Sequence, residues 1–600
     1  MADGNVDPRT GKTISEQALV LSAATPVDVE GILDYGSVAF AENPTTLLEA
    51  GDFHGYEFDG KAGGIVTITM NGSTCGRPDT LLDLFKPEDA AGNRGPSIAE
   101  NDDAFIGSCI LDSQIRSFRL PVTGTYLIVA TTFLQQGGNG HYKLSLTCDN
   151  NACAVAGSPT FASTRIAQTA IDAGGFTATQ LFDIGDFLFE TVYQTRDGMG
   201  NALAAAPGGG KPRPNFRQIP NNVHFAGFGG PEAQSCVSCH NIGGDDGAGD
   251  NNHNIFQIGD GINRASGLAR NGIALLGLGL RERAAQEMTQ EIQALLAAGK
   301  VQAAATGANV TVALRPPTNP TINFGTVIAR PDGTVDFSTL NRIDADLVVK
   351  PFGWKGREAT VRRFIEGGWR VHFGMQTEPS VNNHCVTPNV NNFGNGANCQ
   401  DPDNDGVQKE ISDGQLSAGT VYMNTLEMPI RLPAANPAAQ ARVNNGEVLF
   451  KQVGCEGCHR QFVTIKTPRL VQKGDTTGGA GITINFATDM KEPRPAVNAD
   501  GSMTIEVWSD FRRFQMGPSL QDSKPFNQIA ADTFVTPPLW GIRDSAPYLH
   551  DGRAATLLDS VLLHGEGNDT ASVNAFKALT ADEQQQIVEF MESLGRVEDL

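Results

Sequence analysis

Nowhere in its 600 residues does the chain hold a run of about 18 or more apolar residues, so no membrane-spanning helix is expected. Positive charge is also scarce. Lys and Arg total 45 against 67 Asp and Glu, a formal net charge of −22, which argues against nucleic acid and anionic membrane surfaces as partners. The first residues, Met1-Ala2-Asp3-Gly4-Asn5, lack the basic and apolar regions of a secretory signal. What is abundant is length. One hydrophobic core does not serve a chain of this size, and three domains are expected.

Ten cysteines are present, and four of them lie in two short motifs, Cys236-Val237-Ser238-Cys239-His240 and Cys455-Glu456-Gly457-Cys458-His459. A zinc site needs a second pair of ligands at zinc-like spacing, and neither motif has one nearby. The pattern is that of covalent haem attachment, in which two thiols add to the haem vinyl groups and the next His ligates the iron. Two haem c groups are therefore expected, held by Cys236, Cys239 and His240 and by Cys455, Cys458 and His459. Cys75, Cys109, Cys148, Cys153, Cys385 and Cys399 fall into neighbouring pairs (75 with 109, 148 with 153, 385 with 399), which reads as three disulfides in an oxidising compartment. Bacteria attach haem c after export, so a periplasmic or extracellular location is expected, with an export signal removed or replaced by Met1.

After an N-terminal extension (residues 1–34), residues 35–149 alternate short apolar runs with turns, as in Gly64–Met70, Ile115–Leu120, Gly124–Ala130 and Tyr142–Leu146. The period of two predicts an antiparallel β-sandwich. Leu120-Pro121-Val122-Thr123-Gly124-Thr125-Tyr126, followed by Gly140-His141-Tyr142-Lys143-Leu144, resembles the pre-peptidase C-terminal domains, accessory modules of secreted proteins. Two mainly α, cytochrome c-like domains follow, at 160–435 and 436–600. Helices are predicted before the motifs at 183–192 and 439–450, and again at 273–288 and 581–591. Short strands are predicted at 310–314 and 322–329.

An internal repeat links the two halves. Lys355-Gly356-Arg357-Glu358-Ala359-Thr360-Val361 matches Asp551-Gly552-Arg553-Ala554-Ala555-Thr556-Leu557 at a constant offset of 196 residues. That register sets His564 opposite Gly368, so one half has a potential iron ligand where the other has no side chain. The run from Thr536-Pro537-Pro538-Leu539-Trp540-Gly541 through Tyr548-Leu549-His550-Asp551-Gly552, with Phe352-Gly353-Trp354-Lys355, Ser509-Asp510 and Met516-Gly517-Pro518, resembles the di-haem oxidoreductase and peroxidase family. Its relatives are the bacterial di-haem cytochrome c peroxidases and MauG, and the likeness spans about residues 180–600.

The resemblance implies a second axial ligand fourteen residues after His550, at His564, giving a His459/His564 iron suited to electron transfer. It implies Trp354 as an electron relay, and an N-terminal haem open to peroxide above His240. His253, His372 and, from a loop, His224 are the residues that would close it. The family's acid/base Gln and Glu correspond to Phe364 and Gly374, leaving Glu366 and His372 as candidate catalytic groups. An aromatic pocket of Phe364, Trp369 and Phe373 would instead suit dioxygen and an apolar substrate, as in rubber oxygenases. The competing functions are thus peroxide reduction, oxygenation, and plain electron transfer between two bis-His haems, each with a redox partner protein or small electron donor.

Two calcium sites are considered. Asp401, Asp403 and Asp405 precede Gly406 as in the first half of a calcium loop, but the twelfth position is Ser412, and a solvated acidic turn fits equally. The family resemblance implies a second site at carbonyls matching Ser545 and Pro547. His54 and His141 have no partner at metal spacing and read as structural.

Overall fold

The computed structural model describes residues 28–32, 38–40, 53–72, 79–88, 94–102, 104–106, 109–132, 142–149, 153, 165–193, 197–199, 216–218, 233, 235–240, 255–259, 267–386, 407–526 and 528–596. His141, His224, His253, Cys75, Cys399 and the Asp401, Asp403 and Asp405 loop lie outside the described residues. The chain divides into two compact units, Met1–Arg165 with Glu190–Val192, and Ile166–Phe189 with Tyr193–Leu600.

In the first unit ten strands form two five-stranded sheets. They are β1 (Asp28–Ile32), β2 (Val38–Phe40), β3 (His54–Gly60), β4 (Ile65–Gly72), β5 (Thr80–Phe85), β6 (Ala99–Asn101), β7 (Ala104–Ile106), β8 (Cys109–Arg119), β9 (Gly124–Thr132) and β10 (Tyr142–Cys148). The sheet orders are β1-β3-β9-β5-β6 and β2-β10-β4-β8-β7. Alternate residues of both sheets meet in one core, Phe58, Leu82, Leu84 and Ile128 against Val66, Ile68, Met70, Leu144 and Leu146, which is the sandwich that the period of two predicts. The pairing differs from expectation at one edge, where β1 runs parallel to β3. Tyr126 repays its burial by donating its hydroxyl to the Val122 carbonyl at 2.6 Å. Cys148 is disulfide-bonded to Cys153. Cys385, in the second unit, is disulfide-bonded as well.

The second unit is mainly helical: α1 (Gln168–Asp172), α2 (Ala178–Glu190), α3 (Leu278–Thr306), α4 (Val361–Gly368), α5 (Glu378–Val386), α6 (Asp413–Thr425), α7 (Pro437–Gln452), α8 (Leu557–Leu563), α9 (Thr570–Lys577) and α10 (Ala581–Glu592). Helix α3 begins five residues later than the sequence predicts and continues to Thr306, where Gly307 ends it in the left-handed conformation. Every residue of α6 is buried. Small residues let its neighbours approach: a Cβ at Gly185 would come within 2.4 Å of the Ala418 carbonyl oxygen, and one at Gly419 within 2.9 Å of the Trp369 ring.

The internal repeat is visible in the backbone. Phe352 bridges Glu358, and Tyr548 bridges Ala554, at the same offset of 196. Each bridge encloses a turn with a positive-φ glycine, Gly356 or Gly552. Each is followed by a threonine cap, Thr360 on α4 accepting from Arg363 N and Thr556 on α8 accepting from Asp559 N. The copies then diverge. Helix α8 stops with His564 as its C-cap, whereas α4 passes into one wider π turn, Trp369–Phe373, that carries His372.

Candidate functional site

Both Cys-x-x-Cys-His motifs fold as the same single turn, the second directly after α7. His240 N donates to the Cys236 carbonyl at 3.1 Å, and His459 N to the Cys455 carbonyl at 3.0 Å. An aromatic from the preceding helix rests on each imidazole, Phe189 on His240 at 6.2 Å and Phe450 on His459 at 6.4 Å. All four thiols are free of disulfides. Burial pushes the Cys455 and Cys458 thiols up to about 12 and raises Cys236 further, so they are neutral thiols rather than thiolates.

Around the second motif lies a cavity of about 400 Å³, within the range of small-molecule and cofactor sites. Cys455, Cys458, His459 and His564 all line it, together with Phe450, Phe514, Met516, Leu539 and Trp540. His459 Nδ1 lies 3.0 Å from the Trp508 carbonyl oxygen and His564 Nδ1 lies 2.6 Å from the Ser560 carbonyl oxygen. A carbonyl only accepts, so each Nδ1 carries the proton and each Nε2 keeps its lone pair for a metal. Burial pushes His459 down to about 4, with the Trp508 contact opposing and the neighbouring His564 adding to the shift. Two thiols and two ligand-ready imidazoles on one largely apolar cavity fit a covalently held haem.

At the first motif, Cys236 N and Val237 N both donate to the Phe189 carbonyl, tying the loop to α2. Ala233 N reaches the His372 carbonyl at 3.5 Å, tying it to the π turn. Burial pushes His240 down to about 4, and His372 is the next cause, with a backbone contact to Ile273 opposing. The His372–His240 relation thus parallels that of His564 to His459, one helical turn further along the repeat. Gly368 itself has open space around it.

Trp354 lines the cavity, donates Nε1 to the Asn271 carbonyl at 3.0 Å, and meets His550 edge-on at 6.4 Å. Beneath it is a buried charge cluster. Asp522 accepts from both Arg270 amino groups at 2.8 and 2.9 Å and pairs with Lys355 at 2.9 Å. Lys355 Nζ also sits 3.7 Å over Phe534, on which His550 stacks at 4.2 Å. Burial holds His550 neutral, down to about 4.

Glu366 is differently engaged from what its candidacy as a catalytic group requires. Thr377 Oγ1, Ser380 Oγ and Arg363 Nη1 donate to it at 2.8, 2.6 and 2.7 Å. Although burial works in the other direction, these donors and the Arg363 and Arg370 charges hold it below the usual glutamate range, as an ionised anchor of α4. The three aromatics expected to form one pocket divide: Phe364 packs on Phe352 at 6.2 Å, while Phe373 and Trp369 meet Tyr193. Tyr193, Asn271, Arg281 and Asp522 escaped the sequence reading, because none belongs to a spaced motif. Ser545 and Pro547 line the cavity, and the Pro547 carbonyl accepts from Asn271 Nδ2 at 2.5 Å.

Residues 345–594 match the family described as "Di-haem oxidoreductase, putative peroxidase". Among solved structures, a MauG-like protein associated with microbial copper homeostasis is 14% identical over 54% of this chain and 89% of its own, with a TM-score of 0.22. The pre-peptidase C-terminal domain of collagenase from Bacillus anthracis is 16% identical over 20% of this chain and 97% of its own, with a TM-score of 0.15. Hydrazine synthase from Kuenenia stuttgartiensis is 19% identical over 31% and 57%, with a TM-score of 0.20. No curated protein matches the chain.

Proposed function

Because residues 345–594 carry the di-haem oxidoreductase family's pattern, we propose that this chain is an exported di-haem c-type oxidoreductase that reduces peroxide with electrons from a redox partner protein or small donor. When bound, the two haems supply the one-electron chemistry, entry being at the C-terminal group and peroxide reduction at the N-terminal one. The observation that carries the reading is the matched pair of His459 and His564, each with Nδ1 committed to a carbonyl beside two free thiols.

Cys455, Cys458, His459 and His564 hold the C-terminal haem, and Cys236, Cys239 and His240 the N-terminal one. Trp354 is the proposed relay, fixed by Asn271 and met edge-on by His550, which stacks on Phe534. Calcium is proposed at the Ser545 and Pro547 carbonyls. A cation there requires the Asn271 amide to turn its oxygen toward Pro547, since its nitrogen now donates. Among the described residues no helix is long and apolar enough to cross a membrane.

A second reading is a bis-His electron carrier. It is favoured by the π turn, which gives His372 to the N-terminal half where Gly368 supplies no ligand. Optical and EPR spectra of the oxidised and half-reduced protein, with carbon monoxide added after reduction, separate the two. Two c haems with carbon monoxide bound at one support the oxidoreductase. Two low-spin haems that refuse carbon monoxide in every redox state replace it with the carrier.

A further inference from the structure

Among the described residues Arg281 is a buried cation without a counter-ion. It stands in the first turn of α3, only 5% exposed, on the wall of the cavity that holds Cys455, Cys458, His459 and His564. Nη2 donates to the Pro351 carbonyl at 2.6 Å and the guanidinium lies 5.3 Å over the Phe352 ring. Its Nε is buried with no hydrogen-bond partner. Among the described residues no carboxylate pairs with it. The adjacent Glu282 turns elsewhere, accepting from Val361 N at 2.7 Å and Gln286 at 2.9 Å.

Burial alone lowers the Arg281 pKa to about 9, so the group stays cationic at neutral pH. An uncompensated buried charge is costly, and the planar guanidinium fork matches a carboxylate. Arg342 also lines the cavity, but it lies over Phe514 at 4.1 Å, near Arg512 and Asp510. Arg281 follows instead the Pro351–Phe352 segment that leads into Trp354.

We propose that Arg281 is the counter-ion of a carboxylate within this cavity, namely a propionate of the C-terminal haem, and so sets that haem's reduction potential. The inference rests on the haem reading of the second motif. A free carboxylate entering from solvent has the same chemistry, and the test distinguishes it.

The test is a spectroelectrochemical titration of the holoprotein, in acetate-free buffer and with added acetate, for wild type, Arg281→Gln and Arg281→Lys. Covalent haem content and the low-spin EPR signal are measured on the same samples. Arg281→Gln is expected to lower the midpoint of the His459/His564 haem and to bring a pH-dependent step into the neutral range, while Arg281→Lys stays near wild type. Midpoints unchanged in both variants, with two covalent haems present, overturn the assignment and leave the haem reading intact. A shift that appears only with acetate overturns the propionate source in favour of a free carboxylate. A wild-type protein with no haem at Cys455 and Cys458 overturns both.

Discussion

Trp354 and Asn271 are joined through one hydrogen bond, Nε1 to carbonyl at 3.0 Å, while Asn271 N donates to the His550 carbonyl at 2.8 Å. The proposed relay is thereby fixed to the second copy of the repeated turn. Its indole nitrogen is held by a backbone carbonyl, so the ring's hydrogen bond depends on the fold rather than on a mobile side chain.

Trp354→Phe keeps an aromatic ring but removes the donor. The Asn271 carbonyl then loses its partner, at a cost of about 1 kcal/mol in stability. Stopped-flow reduction is expected to give equal haem content with electron exchange between the haems slowed at least about tenfold, a barrier increase of about 1.4 kcal/mol. Unchanged exchange would remove Trp354 from the route.

His564→Ala leaves α8 intact, because its N-terminal cap is Thr556. The expected outcome is retained covalent haem at Cys455 and Cys458 with loss of the bis-His low-spin EPR signal. An unaltered signal would show that His564 is not the ligand.

Asp413 is fully buried and accepts from Arg362, Asp475 N, Thr476 N and Thr476 Oγ1. Asp413→Ala leaves Arg362 with Asp475, 2.8 Å from its Nε, as its remaining carboxylate and deprives Asp475 N, Thr476 N and Thr476 Oγ1 of their acceptor, at a cost of about 3 kcal/mol. Chemical denaturation of the holoprotein checks this, and a loss under about 1 kcal/mol would mean that Asp475 and water satisfy these groups without Asp413.

Burial raises Glu282 from the ordinary glutamate value of 4.5 to about 7. Between these values the folded protein binds the proton that the unfolded chain releases. The contribution is therefore full below about pH 4.5 and is lost as pH rises through about 7. Glu282→Gln should flatten the decline in stability over that window, measured by urea unfolding at several pH values. An identical slope in both proteins would place the titration elsewhere.

Much of the site was legible from sequence because it is built on fixed spacing. The two thiol–imidazole motifs, the repeated Gly-x-x-x-Thr turn and His564 each follow from a count of residues, and the backbone keeps that count in the paired bridges of Phe352 and Tyr548. The sandwich was legible through alternation, since β4 and β10 each bury one face, whereas β9 is buried on both. The parallel β1–β3 edge was not, because strand direction leaves no mark on a period of two. Helix α6 was missed for a different reason: Asp-Gly-Gln-Leu-Ser-Ala-Gly reads as a loop, and Asp413 and Ser417 take partners from distant segments, Arg362 and Gln168. Arg281, Asn271 and Asp522 likewise gain meaning only when chain segments tens to hundreds of residues apart come together.

A helix buried along its whole length has a kinetic consequence. All thirteen residues of α6 are buried, Met423 being 5% exposed, so its amide protons exchange chiefly when the surrounding elements come apart together. In deuterium labelling α6 should be the slowest clock in the molecule, still protonated after α9 and α10 have exchanged.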